Sequence, residues 1–424
     1  MNHTATPIQL NHKMQRTFLD NGITVISSFN PTADIISARL FLKAGSLLEP
    51  RAKAGLAHLI AAVLSKGTQQ FSSVEIAEQV ESVGASLGTD AAADYFLVSL
   101  KTVSADFAAI LRLASEIMRT PTFPVAEVDL ERNLTIQNIR SQKEQPFNIA
   151  FTQLRQAMYQ DHPYGVSVLG TEETVAGLTR EDLQQYHHTY FRPDNLIISV
   201  SGCFAHGDVL ELIEQIFGDW QIPNQPLPKV SLPLVTTQPT RELTCQDTQQ
   251  SIVMLGYGAS SVHHDDYIPL KLINTYLGNG LSSRLFVELR EKRGLAYDVS
   301  AFYPTRRESS QFVAYMGTAP ENTHIAIEGL RTEVERLCHA ELTPQEVQVA
   351  KNKLLGQYAL GKQTNAEIAQ IFGWYETLGL GIEFDVQFQE IVSQVTSKQL
   401  QEVACRYFSQ PPYLSLVGPE EAIS

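Results

Sequence analysis

Cysteine is scarce in this chain. Cys203, Cys245, Cys338 and Cys405 are the only four in 424 residues, widely separated and without a Cys-x-x-Cys pair. That excludes a disulfide-stapled scaffold and a cysteine-built zinc ribbon, and it favours a reducing compartment. No apolar run approaches the ~18 residues that a membrane-spanning helix requires, so no membrane partner is expected. Positive charge is also in deficit: 32 Lys and Arg against 46 Asp and Glu leave a formal net charge of −14. Such a balance argues against nucleic acid as a partner and is compatible with handling basic or unfolded peptides. Residues Met1 to Arg16 are polar and lack the apolar core of about 7–15 residues of a secretory signal. They are also too weakly basic to read as an organellar transit peptide, and the expected location is cytoplasmic.

What is present describes a globular protein of more than one domain. Apolar residues make up 43% and charged residues 18%, and 424 residues are too many for one compact core. An internal repeat explains the length. Thr179, Leu183, Tyr190 and Phe191, followed by the apolar run Leu196 to Val200, return as Thr396, Leu400, Tyr407 and Phe408, followed by Tyr413 to Val417. Every pair is offset by the same 217 positions. The helical pattern at 125–143 has a weaker echo at 344–360. Between the halves, Gln221 to Thr240 contains Pro223, Pro226, Pro228, Pro233 and Pro239. Such a stretch can neither continue a helix nor pair as a central strand, so it reads as an extended linker. The division expected is 1–220, linker 221–240, and 241–424.

Each half mixes strand and helix patterns, which gives the α+β class. In the first half, strands are expected around an Asn21-Gly22 turn, at 36–44, and near 86–91 and 95–102. Helices are expected after Gly55, at 73–83 with Ser73 as cap, near 105–119, and near 125–143. His162 beside Pro163 reads as a loop residue. His187 and His188 are neighbours on a helix and point apart, so they cannot share one ion.

The most informative stretch is Gly55-Leu56-Ala57-His58-Leu59-Ile60-Ala61-Ala62-Val63-Leu64-Ser65-Lys66-Gly67. It resembles the zinc helix of the M16 family of peptidases, the insulinase and mitochondrial-processing-peptidase group. That family carries His-x-x-Glu-His here, two histidines for the metal and a Glu as general base. This chain keeps His58 and has Ala61 at the base position and Ala62 at the second ligand position. The third ligand of the family lies in a helix matched by Glu131-Arg132-Asn133-Leu134-Thr135-Ile136-Gln137-Asn138-Ile139, with Asn138 at the ligand position. Glu131 matches the family's supporting carboxylate. The resemblance therefore implies a peptidase frame with no catalytic residue and no metal ligand set of its own.

The second informative stretch runs from Leu277 to Tyr297. A glycine loop, Gly278-Asn279-Gly280, feeds a helix capped by Ser282 or Ser283. Leu281, Leu285, Phe286 and Leu289 form its apolar stripe and Gly294 ends it. No Gly-Lys-Ser/Thr follows, so it is not a phosphate loop. In M16 peptidases an Arg and a Tyr seven positions apart in the second half reach toward the peptide at the zinc. Arg290 and Tyr297 match that spacing. From the residues alone they could equally be a helix-end Arg and a packed ring.

The resemblance covers nearly the whole chain and implies two homologous α/β-roll domains forming half of a clam-like chamber. It further implies a non-catalytic, substrate-binding subunit of a heterodimeric zinc metallopeptidase. Arg290 and Tyr297 would be offered to peptide substrate, and the zinc would be held by a partner with an intact motif. The alternative is a structural or assembly protein of the same family with no part in proteolysis.

Overall fold

The structure is a computed structural model and describes residues 14–423. The first half runs β1 (Met14–Phe18), β2 (Thr24–Phe29), β3 (Ile35–Leu42), α1 (Leu56–Val63), α2 (Ser73–Glu81), β4 (Ser86–Ala91), β5 (Phe96–Val103), α3 (Phe107–Arg119), α4 (Val125–Gln142), α5 (Pro146–Tyr159), α6 (Glu172–Ala176), α7 (Arg180–Tyr190), β6 (Leu196–Gly202) and α8 (His206–Phe217). The second runs β7 (Arg241–Cys245), β8 (Ser251–Ala259), α9 (Tyr267–Gly278), β9 (Asp298–Phe302), β10 (Ser310–Thr318), α10 (Thr323–His339), α11 (Pro344–Leu360), α12 (Asn365–Leu378), α13 (Phe384–Gln394), α14 (Ser397–Phe408), β11 (Tyr413–Gly418) and α15 (Glu420–Ile423). Residues 221–240 form no helix or strand.

The two sheets share one plan. The first has the order β1-β2-β6-β3-β5-β4 and the second β7-β11-β8-β10-β9. In each, one pair is parallel (β2 with β6, β7 with β11) and the remaining pairs are antiparallel. The repeated threonines do the same work in both halves. Thr179 accepts the Asp182 backbone N–H at the start of α7, and Thr396 accepts that of Gln399 at the start of α14. The cap of α2 is Ser72 rather than the expected Ser73. Glu75 closes a capping box with Ser72, which no residue offers Ser73 in the same register.

Alternation along β3 shows how the sheets are covered. Ile36, Ala38, Leu40 and Leu42 join α1, α3 and α7 in one core. Phe41 faces the other way, into a core shared with the second half. The element on that face is α12, which comes from the second half. A Cβ at Gly373 would stand 2.4 Å from the Phe41 ring, so glycine lets the helix lie directly on the sheet. Asn365 anchors its start by donating to the Ile35 carbonyl (2.8 Å), and Arg16 pairs with Glu376 (3.0 Å).

The exchange is reciprocal. Helix α5 of the first half lies on the second sheet, where Gly256 makes room for Leu154 and Met158. Gln153 bridges to Ser415 (2.8 Å) and accepts from Thr244 (2.7 Å), while Ser415 donates to the Ala150 carbonyl (2.7 Å). The two halves are thus interlocked, each sheet closed by the other half's helix.

Candidate functional site

Helix α1 is entered through Gly55 at φ +98°, where a Cβ would meet the Leu169 carbonyl oxygen at 2.6 Å. Only glycine fits that turn. Glu49 is buried beneath it and accepts the backbone N–H groups of Gly55 (2.9 Å) and Ala57. Leu56, Leu59, Ile60 and Val63 are buried in the first-half core, as is the Ala61 methyl. His58 and Ala62, four residues apart, are half-buried on the remaining face.

Helix α4 packs alongside α1 and supplies the other half of the family's metal position. Glu131 and Asn138 are seven residues apart, two turns along one face. Asn138 is exposed, and Glu131 is ion-paired with Lys66 (2.9 Å), just beyond the end of α1. An ammonium thus already holds the carboxylate. Burial lowers the His58 pKa, opposed by the charges of Asp90 and Glu131, so the imidazole is neutral at pH 7. Among the described residues no group of three or more His, Cys, Asp or Glu is placed to hold a metal ion. One imidazole, two methyl groups and a lysine-bound carboxylate do not fit zinc, which takes at least three protein donors. Metal analysis of dialysed protein is therefore expected to find far less than one zinc per chain; a tightly held equivalent would contradict this.

The helix start makes a second prediction. Burial pushes Glu49 up to about 7, against the backbone N–H groups of Ala57, Gly55 and Leu56, which pull it down. The folded value lies above the ordinary 4.5, so the folded chain holds the extra proton between these limits. Stability from this group is full below about 4.5 and is lost as pH rises through about 7. Urea midpoints measured across that window should fall for the wild type relative to Glu49→Gln. Parallel profiles would show that Glu49 does not titrate there.

The second stretch is not the regular helix expected from its spacing. Leu281, expected on the buried stripe, is 74% exposed, while Leu285 and Leu289 are fully buried. The backbone winds as a π-turn over Phe286–Glu291, closed by the Lys292 N–H donating to the Val287 carbonyl (3.0 Å). The wider turn rotates the residues after Phe286 away from a regular helical face. Arg284 is engaged by Glu333 (2.7 Å) and Glu288 (2.9 Å). Arg290 is exposed, lies over the Phe286 ring (5.0 Å), and has no ion pair among the described residues. Gly294 at φ +63° reverses the chain, and the Tyr297 N–H joins the ladder at the Gly317 carbonyl (2.9 Å). The Tyr297 side chain is 60% exposed beside the edge strand β9.

The structure leaves the two stretches separate: no described hydrogen bond, ion pair or ring contact joins His58, Glu131 or Lys66 to Arg290 or Tyr297. His162 is buried in its loop and accepts the Tyr164 N–H (3.2 Å). Burial lowers His187 to about 4, and the ring contacts the Met118 carbonyl (2.7 Å). Both are packing residues. Lys66 and Glu49 escaped the sequence reading. Lys66 stood in the quoted stretch, but only the α1–α4 contact shows which acid it meets.

The profile described as "Insulinase (Peptidase family M16)" matches residues 24–172, and "Peptidase M16 inactive domain" matches 177–354. The chain belongs to the M16 peptidase family. It is 26% identical over 416 residues to the "Uncharacterized zinc protease YmxG" of Bacillus subtilis, covering 96% of this chain and 98% of that one. It is also 26% identical to a Streptomyces coelicolor protein likewise described as an uncharacterized zinc protease, covering 96% and 90%. The fold is that of a protease from Helicobacter pylori (TM-score 0.91, 22% identity, 96% of this chain and 100% of that one). It is also that of a peptidase M16 inactive domain from Pseudomonas fluorescens (TM-score 0.89, 23% identity, 96% and 98%).

Proposed function

We propose that this chain is the non-catalytic, substrate-binding subunit of a heterodimeric M16 zinc metallopeptidase. The observation that carries the reading is the contrast between its two stretches. At α1 and α4 only His58 remains of the ligand set, the base position is Ala61, the other ligand positions are Ala62 and Asn138, and Lys66 occupies Glu131. At the edge of the second sheet, Arg290 and Tyr297 are exposed, and no acid among the described residues engages Arg290. A guanidinium and a phenol suit a peptide carbonyl as it gains negative charge. The zinc belongs to a partner with intact His-x-x-Glu-His, and the pair encloses peptide substrate in a cytoplasmic setting. No described helix is long and apolar enough to cross a membrane.

Co-expression with an intact M16 chain from the same cell, followed by size exclusion with light scattering, tests this. A one-to-one heterodimer is expected. A chain that stays apart from every such homologue would favour a purely structural member of the family.

A further inference from the structure

An open cleft of ≈ 420 Å³ lies where α12 crosses the first sheet, a volume typical of small-ligand sites. Arg39 of β3 lies in it, with Tyr95, Gln370, Ile371, Trp374 and Glu367 around it. The Arg39 Nε donates to the Gln370 side-chain oxygen (3.2 Å), and Nη1 to the carbonyls of Ala38 (3.1 Å) and Leu100 (3.3 Å). These contacts fix the fork and leave Nη2 unused. No carboxylate among the described residues pairs with Arg39. Glu367, the exposed acid at the cleft, holds the α12 cap with one oxygen, Oε2, which accepts from the Gln363 and Thr364 N–H groups and the Thr364 hydroxyl, and its Oε1 has no described partner.

Apart from Glu367, the remaining polar groups, on Gln370, Trp374 and Tyr95, can donate. Gln370 spends its oxygen on Arg39, which leaves its amide nitrogen free. The Trp374 indole and the Tyr95 hydroxyl line the cleft without a described hydrogen-bond partner. Burial, with the charges of Asp90 and Asp94, raises the Tyr95 pKa, so the hydroxyl keeps its proton. A half-buried guanidinium without a counter-ion is unfavourable, and an oxyanion brought to it gains charge-assisted hydrogen bonds. Ile371, Trp374 and the Tyr95 ring supply apolar walls beside that charge.

We infer that this cleft is a carboxylate subsite for peptides, with Arg39 gripping the anion and Trp374 and Ile371 packing on the adjacent side chain. The inference rests on the reading that the chain receives peptides, and it adds a binding position remote in sequence from Arg290 and Tyr297. The carboxylate is either a peptide's C-terminus or an acidic side chain.

Trp374 offers a direct readout, because Trp220 is the only other tryptophan. In a Trp220→Phe background, Trp374 fluorescence is titrated with three probes on the isolated chain. They are N-acetyl-Phe-Ala with a free carboxyl terminus, N-acetyl-Phe-Glu-amide, and N-acetyl-Phe-Ala-amide. At least one carboxylate probe should bind saturably, and the better of the two names the source. The uncharged amide should bind about 10- to 100-fold more weakly, the usual effect of losing a charged hydrogen bond. Arg39→Gln should abolish that preference. Arg39→Lys, which keeps the charge without the fork, should retain part of it. Equal binding of all three probes, no binding by any, or a preference that survives Arg39→Gln would overturn the inference. Because no partner is present, a failure here leaves the heterodimer reading untouched, and loss of the heterodimer leaves this titration interpretable.

Discussion

Peptide turnover by the complex of this chain with its zinc-bearing partner is expected to fall about 100- to 1000-fold when Tyr297 is replaced by Phe. The substitution removes one hydroxyl and keeps the ring. A single donor lost from a developing oxyanion costs about 2.7–4 kcal/mol. The loss should appear in kcat if the contact forms only in the transition state, and in KM if the hydroxyl grips bound peptide throughout. Arg290→Ala should reduce turnover as well, and Arg290→Lys should restore little, because an ammonium lacks the planar fork. Both side chains are exposed, so heterodimer formation and thermal unfolding should be unchanged in the same samples. Wild-type turnover in the Tyr297→Phe and Arg290→Ala complexes would reject the shared site.

The second large effect concerns the interlocked halves. Phe41→Ala is expected to destabilise the protein by about 3–5 kcal/mol, the range for a buried aromatic ring truncated to a methyl. Phe41 is fully buried, packs edge-on against Tyr95 (5.3 Å) and fills the space that Gly373 leaves on α12. It belongs to the first half by sequence and to a shared core by contact. Denaturation should therefore lower one common midpoint for both halves. Single-tryptophan versions report this directly, since Trp220 packs with the first-half core and Trp374 sits on α12. A shift seen by Trp220 and absent from Trp374 would show that α12 does not depend on the first sheet.

The exchange of α5 and α12 explains what was and was not legible in the sequence. The repeat was readable because its positions are local: a threonine cap, an aromatic pair at a helix end, and an apolar central strand. Those features reappear as α7 with β6 and α14 with β11. Helices α5 and α12 went unnamed because their pattern is set by a partner surface in the other half of the chain. Gly256 and Gly373 both serve close helix-on-sheet contact. The loss of the metal site was legible as composition, since alanine at 61 and 62 has no donor in any fold. The capture of Glu131 by Lys66 was not, because it depends on how α1 meets α4. The family resemblance singled out Arg290 and Tyr297, while the helical spacing gave the wrong local form. The π-turn keeps Leu285 and Leu289 buried, as a helix would, and redirects the residues between them, while Leu281 is left outside the buried stripe. The Arg39 cleft has no sequence signal, because its walls come from β3, the β4–β5 connection and α12.

The most direct test is a titration of the purified zinc-bearing partner with this chain, reading peptide cleavage at fixed partner concentration. Activity should rise with added wild-type chain and saturate at one equivalent, and it should stay near the partner's own basal rate when the added chain carries Arg290→Ala with Tyr297→Phe. Full activity from the partner alone, or equal stimulation by the double variant, would contradict the account.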